Sequence, residues 1–169
     1  MKKQKGFSLI ELLIVVAIIL IIAAIAIPNL LKAKMAANES SAAGAVRTIN
    51  TAQVSYATFF PATGYSGNLT NLGGAAAACV PPALSLVARA CLIDELLSGF
   101  GVPPFVKSGY TFALIPGAVV GPPLVTYFVS ATPVSLGTSG QNMYCSDQSG
   151  VVRHDVLGVA CTTASPALQ

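Results

Sequence analysis

The chain has 169 residues, 54% of them hydrophobic and only 9% charged, against roughly 25% charged in an ordinary soluble domain; this excludes disorder along the whole chain and an ordinary cytosolic surface, and the length suits one domain. The formal charge is +3, but three of the nine basic residues are Lys2, Lys3 and Lys5, and the other six face six acids, so a nucleic-acid binder working through a strong general positive field is excluded. One histidine and four scattered cysteines leave little material for a metal site or a catalytic triad, and no catalytic residue, metal or cofactor is expected.

Residues 7–27 read FSLIELLIVVAIILIIAAIAI, an apolar run with one charge, Glu11. As a helix it would be about 31 Å long, roughly one bilayer core. MKKQKG precedes it, and those lysines should stay cytoplasmic, which leaves the body of the protein outside. Three readings compete. A secretory signal peptide would use the basic start and Ala24-Ile25-Ala26 as its cleavage pattern, but the run is long and carries a carboxylate. A plain anchor leaves Glu11 unexplained, because a charge in mid-span costs about 3 kcal/mol on insertion scales and less near the end. In the third reading a cut between Gly6 and Phe7 creates an amine one helical turn from Glu11. The amine of a neighbouring subunit would then neutralise the carboxylate inside an apolar assembly. Opposite charges attract strongly at low dielectric, and an unpaired one is heavily penalised, so the pair would set register more than stability.

The segment KGFSLIELLIVVAIILIIAAIAIPNL resembles the N-terminus of type IV prepilins and of the related type II secretion pseudopilins. The resemblance implies that a membrane peptidase removes a leader, residues 1–6, by cutting after Gly6, and that it methylates the new terminus, Phe7. It implies that the apolar helix is kept, that Glu11 serves subunit registration, and that Pro28 is the helix-breaking proline. The implied function is a structural subunit of a type IV pilus, not an enzyme. The implied location is the inner membrane as precursor, then a filament at the cell surface. The implied partners are further copies of the chain, the prepilin peptidase and methylase, the pilus assembly machinery, and the membrane before assembly. A minor pilin or a type II secretion pseudopilin, which primes or caps a short fibre, is the nearest alternative.

No proline stands between Pro28 and Pro61. Met35, Ala42, Val46, Ile49, Tyr56 and Phe60 keep helical spacing, with Glu39 and Gln53 filling gaps. The spacing predicts one helix over residues 7–60, roughly 80 Å long, whose second half packs one stripe on a globular head. Tyr56, Phe59 and Phe60 read as core packing. Pro28 removes a backbone hydrogen bond and clashes with the preceding turn, which predicts a kink or a melted stretch there.

Pro61 opens a Gly-, Pro-, Ala- and Asn-rich stretch. By the resemblance, residues 61–107 are the variable connecting region. A helical candidate over 84–97 carries Asp94 and Glu95 on a solvated face. Residues 110–115, 124–131, 142–146 and 151–155 read as strands, the last two flanking a turn at Asp147-Gln148-Ser149-Gly150. Three or four antiparallel strands within 108–155 would present one apolar face to the helix. The expected class is α+β: a long N-terminal helix, with residues 7–27 as membrane or filament core, packed by its second half on a small antiparallel sheet.

Cys79, Cys91, Cys145 and Cys161 in an exported chain suggest disulfides, with three possible connectivities. Short loops favour Cys79–Cys91 and Cys145–Cys161, each contributing about 2–4 kcal/mol; the second would clip an irregular tail, 156–169, to the sheet. His154 reads as an exposed polar residue at a strand end. Asp147 and Asp155 would approach each other across the hairpin, yet two carboxylates fall short of the six to eight oxygens a calcium ion takes.

Overall fold

A computed structural model describes residues 8–74, 79, 87–99, 106–117, 121–156 and 160–168. The chain divides into two compact units, Met1–Lys34 and Met35–Gln169. Helix α1 (Leu9–Phe59) contributes to both.

In the first unit α1 begins at Ser8, whose carbonyl accepts from the Leu12 N–H at 3.3 Å. The Glu11 carboxylate turns back to accept the Ser8 N–H at 2.8 Å. Ser8-Leu9-Ile10-Glu11 is thus one arm of a capping box, which satisfies a backbone donor that the first turn would leave orphaned. The acidic side chain also stands where the helix dipole favours it. Beyond it every large apolar side chain through Leu31 is exposed, the least of them Val16 at 44%. A helix that is apolar all round has no water-facing side, which fits a membrane or a bundle of other apolar helices. Pro28 lies inside α1, with helical residues on both sides. The melted stretch, one of the two outcomes expected at this proline, is absent here.

In the second unit α1 becomes one-sided. Ala42, Val46, Ile49, Gln53 and Tyr56 are fully buried at alternating steps of four and three, the spacing of one helix face. The helix ends where Pro61 follows Phe60, because the residue before proline is pushed out of the helical region. Five strands, β1 (Val106–Lys107), β2 (Tyr110–Pro116), β3 (Tyr127–Pro133), β4 (Asn142–Asp147) and β5 (Arg153–Val156), form one antiparallel sheet in sequence order. The register pairs Leu114 with Val129, Ala131 with Tyr144 and Tyr144 with His154. One sheet face therefore carries Tyr127, Val129, Ala131 and Tyr144, all buried in the same core as the α1 stripe. Burial of each large side chain contributes on the order of 2 kcal/mol, and small residues at Ala42, Ala43 and Ala45 keep the helix side of that core thin.

Two short helices complete the unit: α2 (Leu69–Leu72), capped by Asn68, and α3 (Glu95–Ser98), capped by Asp94. The helix expected over 84–97 is not formed as such. Residues 87–94 are non-helical and Cys91 sits at φ 55, a left-handed conformation incompatible with a helix interior; residues 84–86 lie outside the described ones. The sheet has five strands where three or four were expected, because Val106 and Lys107 add a short first strand to the edge of β2. The tail expected to be irregular extends the sheet at its other edge. Ala167 forms an antiparallel bridge with Arg153, and Leu168 N–H donates to the Val152 carbonyl at 2.8 Å.

Candidate functional site

The candidate site has two parts. The first is the segment that begins at the helix cap. Gly6 and Phe7, the expected cleavage and methylation residues, lie outside the described residues. Glu11 is the single charge within the exposed apolar run, and its described hydrogen bond is the one from Ser8. An eighteen-residue window of this helix reaches a mean hydropathy of 3.3, long and apolar enough to cross a bilayer. Lys32 and Lys34 follow the run directly.

The second part is the set of polar side chains that fix α1 to the sheet. Glu39 accepts three hydrogen bonds, from the Gln141 N–H at 2.7 Å, the Asn142 N–H at 3.2 Å and Asn142 Nδ2 at 3.0 Å. Asn38 Nδ2 donates to the Ser139 carbonyl at 2.9 Å. Farther along, buried Asn50 donates to Ser146 Oγ and accepts from the Tyr127 hydroxyl. Gln53 binds the Ser66 peptide as a neighbouring strand would: Oε1 accepts the N–H at 2.7 Å and Nε2 donates to the carbonyl at 3.1 Å. Each pairing satisfies polar atoms that burial would otherwise penalise. Sequence reading treated Glu39 and Gln53 as gaps in an apolar stripe. Their partners stand up to 103 residues away, so no local pattern announces them. The Ser8 cap did have a signal, the S-x-x-E spacing before an apolar run.

Disulfides join Cys79 to Cys91 and Cys145 to Cys161. The second holds the tail over β5, where Ser165 Oγ donates to Asp155 Oδ2 and the Ser165 carbonyl accepts from Arg153 Nη1. Three sequence expectations are corrected. His154 is half-buried, because its pairing with Tyr144 turns it towards the helix side of the sheet. Asp155 lies opposite Met143, four residues along β4 from Asp147, so the two carboxylates do not approach each other. Phe59 is 59% exposed, at the last turn of α1, while the Tyr56 and Phe60 rings meet at a tilt of 55° with centroids 4.9 Å apart. Asp94 is more than a solvated residue: it caps α3 through the Leu97 N–H and pairs with Lys107. Burial pushes its carboxyl pKa up, but the Lys107 hydrogen bond, the Leu97 N–H and the Lys107 charge outweigh this and hold it below the usual value.

Two clefts lie in the second unit. One of about 220 Å³ is lined by Leu69, Leu96, Phe112 and Leu114. The other, about 390 Å³, lies between Arg47, Asn50, Tyr127 and the Gln148–Gly150 turn. Neither is lined by His, Cys, Asp or Glu among the described residues. The two parts are thus an exposed apolar run with one carboxylate and a head whose helix is fixed by internal polar pairs.

Residues 1–27, which include the start of this apolar run, match the model of the prokaryotic N-terminal methylation motif. Type IV wide pilus major component PilA4 of Thermus thermophilus is 62% identical over 40 residues, covering 24% of this chain and 30% of that protein. Type IV major pilin protein PilA of Myxococcus xanthus is 50% identical over 54 residues, covering 32% of this chain and 24% of that protein. Through this N-terminal region the chain is similar to type IV pilins. It spans less than a third of the length of the curated relatives it matches. No solved structure matches it significantly.

Proposed function

We propose that the chain is a structural subunit of a type IV pilus. The observation that carries this reading is an uncovered apolar helical run with a single carboxylate, set inside a methylation motif. In the precursor, residues 1–6 hold the cytoplasmic side and the run after them lies in the inner membrane. A prepilin peptidase cuts after Gly6 and the new terminus, Phe7, is methylated. The pilus assembly machinery then moves the helix from lipid to a bundle of its own copies. Water need not drive that transfer, since packing and charge pairing replace lipid contacts. Glu11, which accepts its own Ser8 N–H at the helix cap, takes the Phe7 amine of a neighbouring copy as a second, charged partner in this reading. The contact is head-to-tail and does not close on itself, so it propagates into a helical filament at the cell surface. A subunit of this kind works as a scaffold and needs no catalytic residue.

Glu11→Ala tests this directly. The variant should still fractionate with the membrane but form few or no fibres by electron microscopy, and normal fibres would refute the charge-pair mechanism. The mass of the mature N-terminus gives an independent check: methyl-Phe7 supports the reading, and a chain starting at Ile27 overturns it in favour of a secreted domain.

A further inference from the structure

Most charges of the second unit are spent within it. Glu39 accepts three donors, Asp94 pairs with Lys107, Asp155 accepts the Ser165 hydroxyl, and Arg153 donates to the Ser165 carbonyl. Arg47 and Asp147 differ. Arg47 is exposed on α1, and its guanidinium has no described hydrogen bond or ion pair. It lines the cleft of about 390 Å³. Two other polar side chains of that cleft are taken, Asn50 by Ser146 and Tyr127, and the Thr51 hydroxyl by the Arg47 carbonyl. Asp147 ends β4; its Oδ1 accepts the Ser149 N–H at 2.8 Å, and its Oδ2 has no described donor. Among the described residues the ion pair formed is Asp94–Lys107, so Arg47 and Asp147 of one copy do not pair.

The two open charges belong to different layers of the head. Ser146 turns towards α1, where Asn50 binds it, so the next residue of β4, Asp147, turns away from the helix. Each charge has an exposed aliphatic neighbour at the same spacing. Val54, 58% exposed, follows Arg47 by seven residues on one helix face, about 10 Å away at 1.5 Å per residue. Ile115, 54% exposed, pairs with Phe128, which in turn pairs with Asp147; two strand spacings, about 10 Å, separate it from that acid. A cation and an aliphatic side chain on α1 thus match an acid and an aliphatic side chain on the outer face of the sheet. Charges and spacing are complementary, and the planar guanidinium fork suits a carboxylate.

Resting on the reading that copies of this chain build a fibre, we propose a contact between heads in which Arg47 of one copy binds Asp147 of the next and Val54 packs on Ile115. The contact uses two different surfaces of each copy, so it repeats without closing on itself. The charge pair fixes the register of neighbouring heads, and the apolar pair excludes water beside it.

The four native cysteines are paired as Cys79–Cys91 and Cys145–Cys161, so an introduced thiol is the one a maleimide reaches. Full-length chains carrying either Arg47→Cys or Asp147→Cys are expressed together, and sheared surface fibres are treated with a short bismaleimide. The proposal expects a bridged dimer from the mixture and none from either variant alone. Charge reversal gives the second measurement. Arg47→Asp sets like charges opposite each other and should lower fibre yield about tenfold or more, and the exchange of both, Arg47→Asp with Asp147→Arg, should restore it. Fibres that give no mixed dimer overturn the head contact and leave the filament reading standing. An unchanged yield with Arg47→Asp, or a loss that the exchange does not repair, overturns it as well. If the unaltered chain forms no fibres, the filament reading fails and the contact with it.

Discussion

At the scale of single residues the head depends on polar atoms placed where no water reaches. Gln53 is fully buried and its amide is committed at both ends to Ser66. Gln53→Leu keeps the volume roughly and strands a buried N–H and a buried carbonyl. The expected loss is about 2–4 kcal/mol, read as a lower denaturant midpoint, whereas a loss within error would mean that Ser66 finds other partners. Gly64 is fixed for a backbone reason. Its φ is +74 and a Cβ there would stand 2.3 Å from the Leu124 carbonyl oxygen, so only glycine lets that loop close on Leu124. Burial pushes up the pKa of Tyr56, Tyr110, Tyr127 and Tyr144 from the ordinary 10.0, with the Glu39 charge adding to it at Tyr110 and Tyr144. A pKa raised on folding means that the unfolded chain releases its proton first. The stabilisation is therefore complete below pH 10 and is lost as the pH rises beyond it. Alkaline titration should give tyrosinate absorbance in step with loss of structure; smooth ionisation of all tyrosines in an intact fold would contradict it.

At the scale of elements, the part of α1 in the head is fixed by two different forces. Its apolar stripe supplies most of the free energy, since each large buried side chain contributes on the order of 2 kcal/mol without specifying register. Register comes from Glu39, Asn50 and Gln53, whose partners are single atoms on loops and strands. Glu39→Ala should lower stability by about 1–3 kcal/mol and raise amide exchange at Gln141 and Asn142 before the rest of the sheet. Uniform exchange across the sheet would mean that the clamp is not local. Glu39→Gln retains an acceptor and should recover part of the loss. The tail behaves as an added edge strand. Its pairing with Val152 and His154 covers a sheet edge that would otherwise offer unpaired donors and acceptors to other chains.

At the scale of the whole molecule, two solvents are written into one chain. The apolar run from Leu9 to Leu31 suits lipid or other copies of the same helix, and the second unit forms a core of its own. Residues 1–6 carry three lysines, and in the proposed orientation pulling them through an apolar layer is strongly unfavourable. The proposed assembly therefore requires a cut after Gly6 before the helix moves outward. Gly6→Leu, which crowds the proposed cut, should leave the chain at its precursor mass and anchored; a mature mass in that variant would show that glycine is dispensable there.

Much of this was legible without coordinates. The apolar rod, its lone acid and the strand positions follow from local patterns: hydropathy over a turn of helix and alternation along a strand are short-range properties of consecutive residues. The helix expected over 84–97 failed for a reason no periodicity carries, a left-handed backbone at Cys91 and a cap at Asp94 that delays the helix to Glu95. The short first strand and the paired tail escaped because they borrow order from neighbours already in place. Composition thus determined which parts avoid water. Only the folded sheet decided what Glu39, Asn50 and Gln53 bind and which way His154 faces, because hydrogen bonds depend on ångström-scale register between segments that the chain joins only in three dimensions.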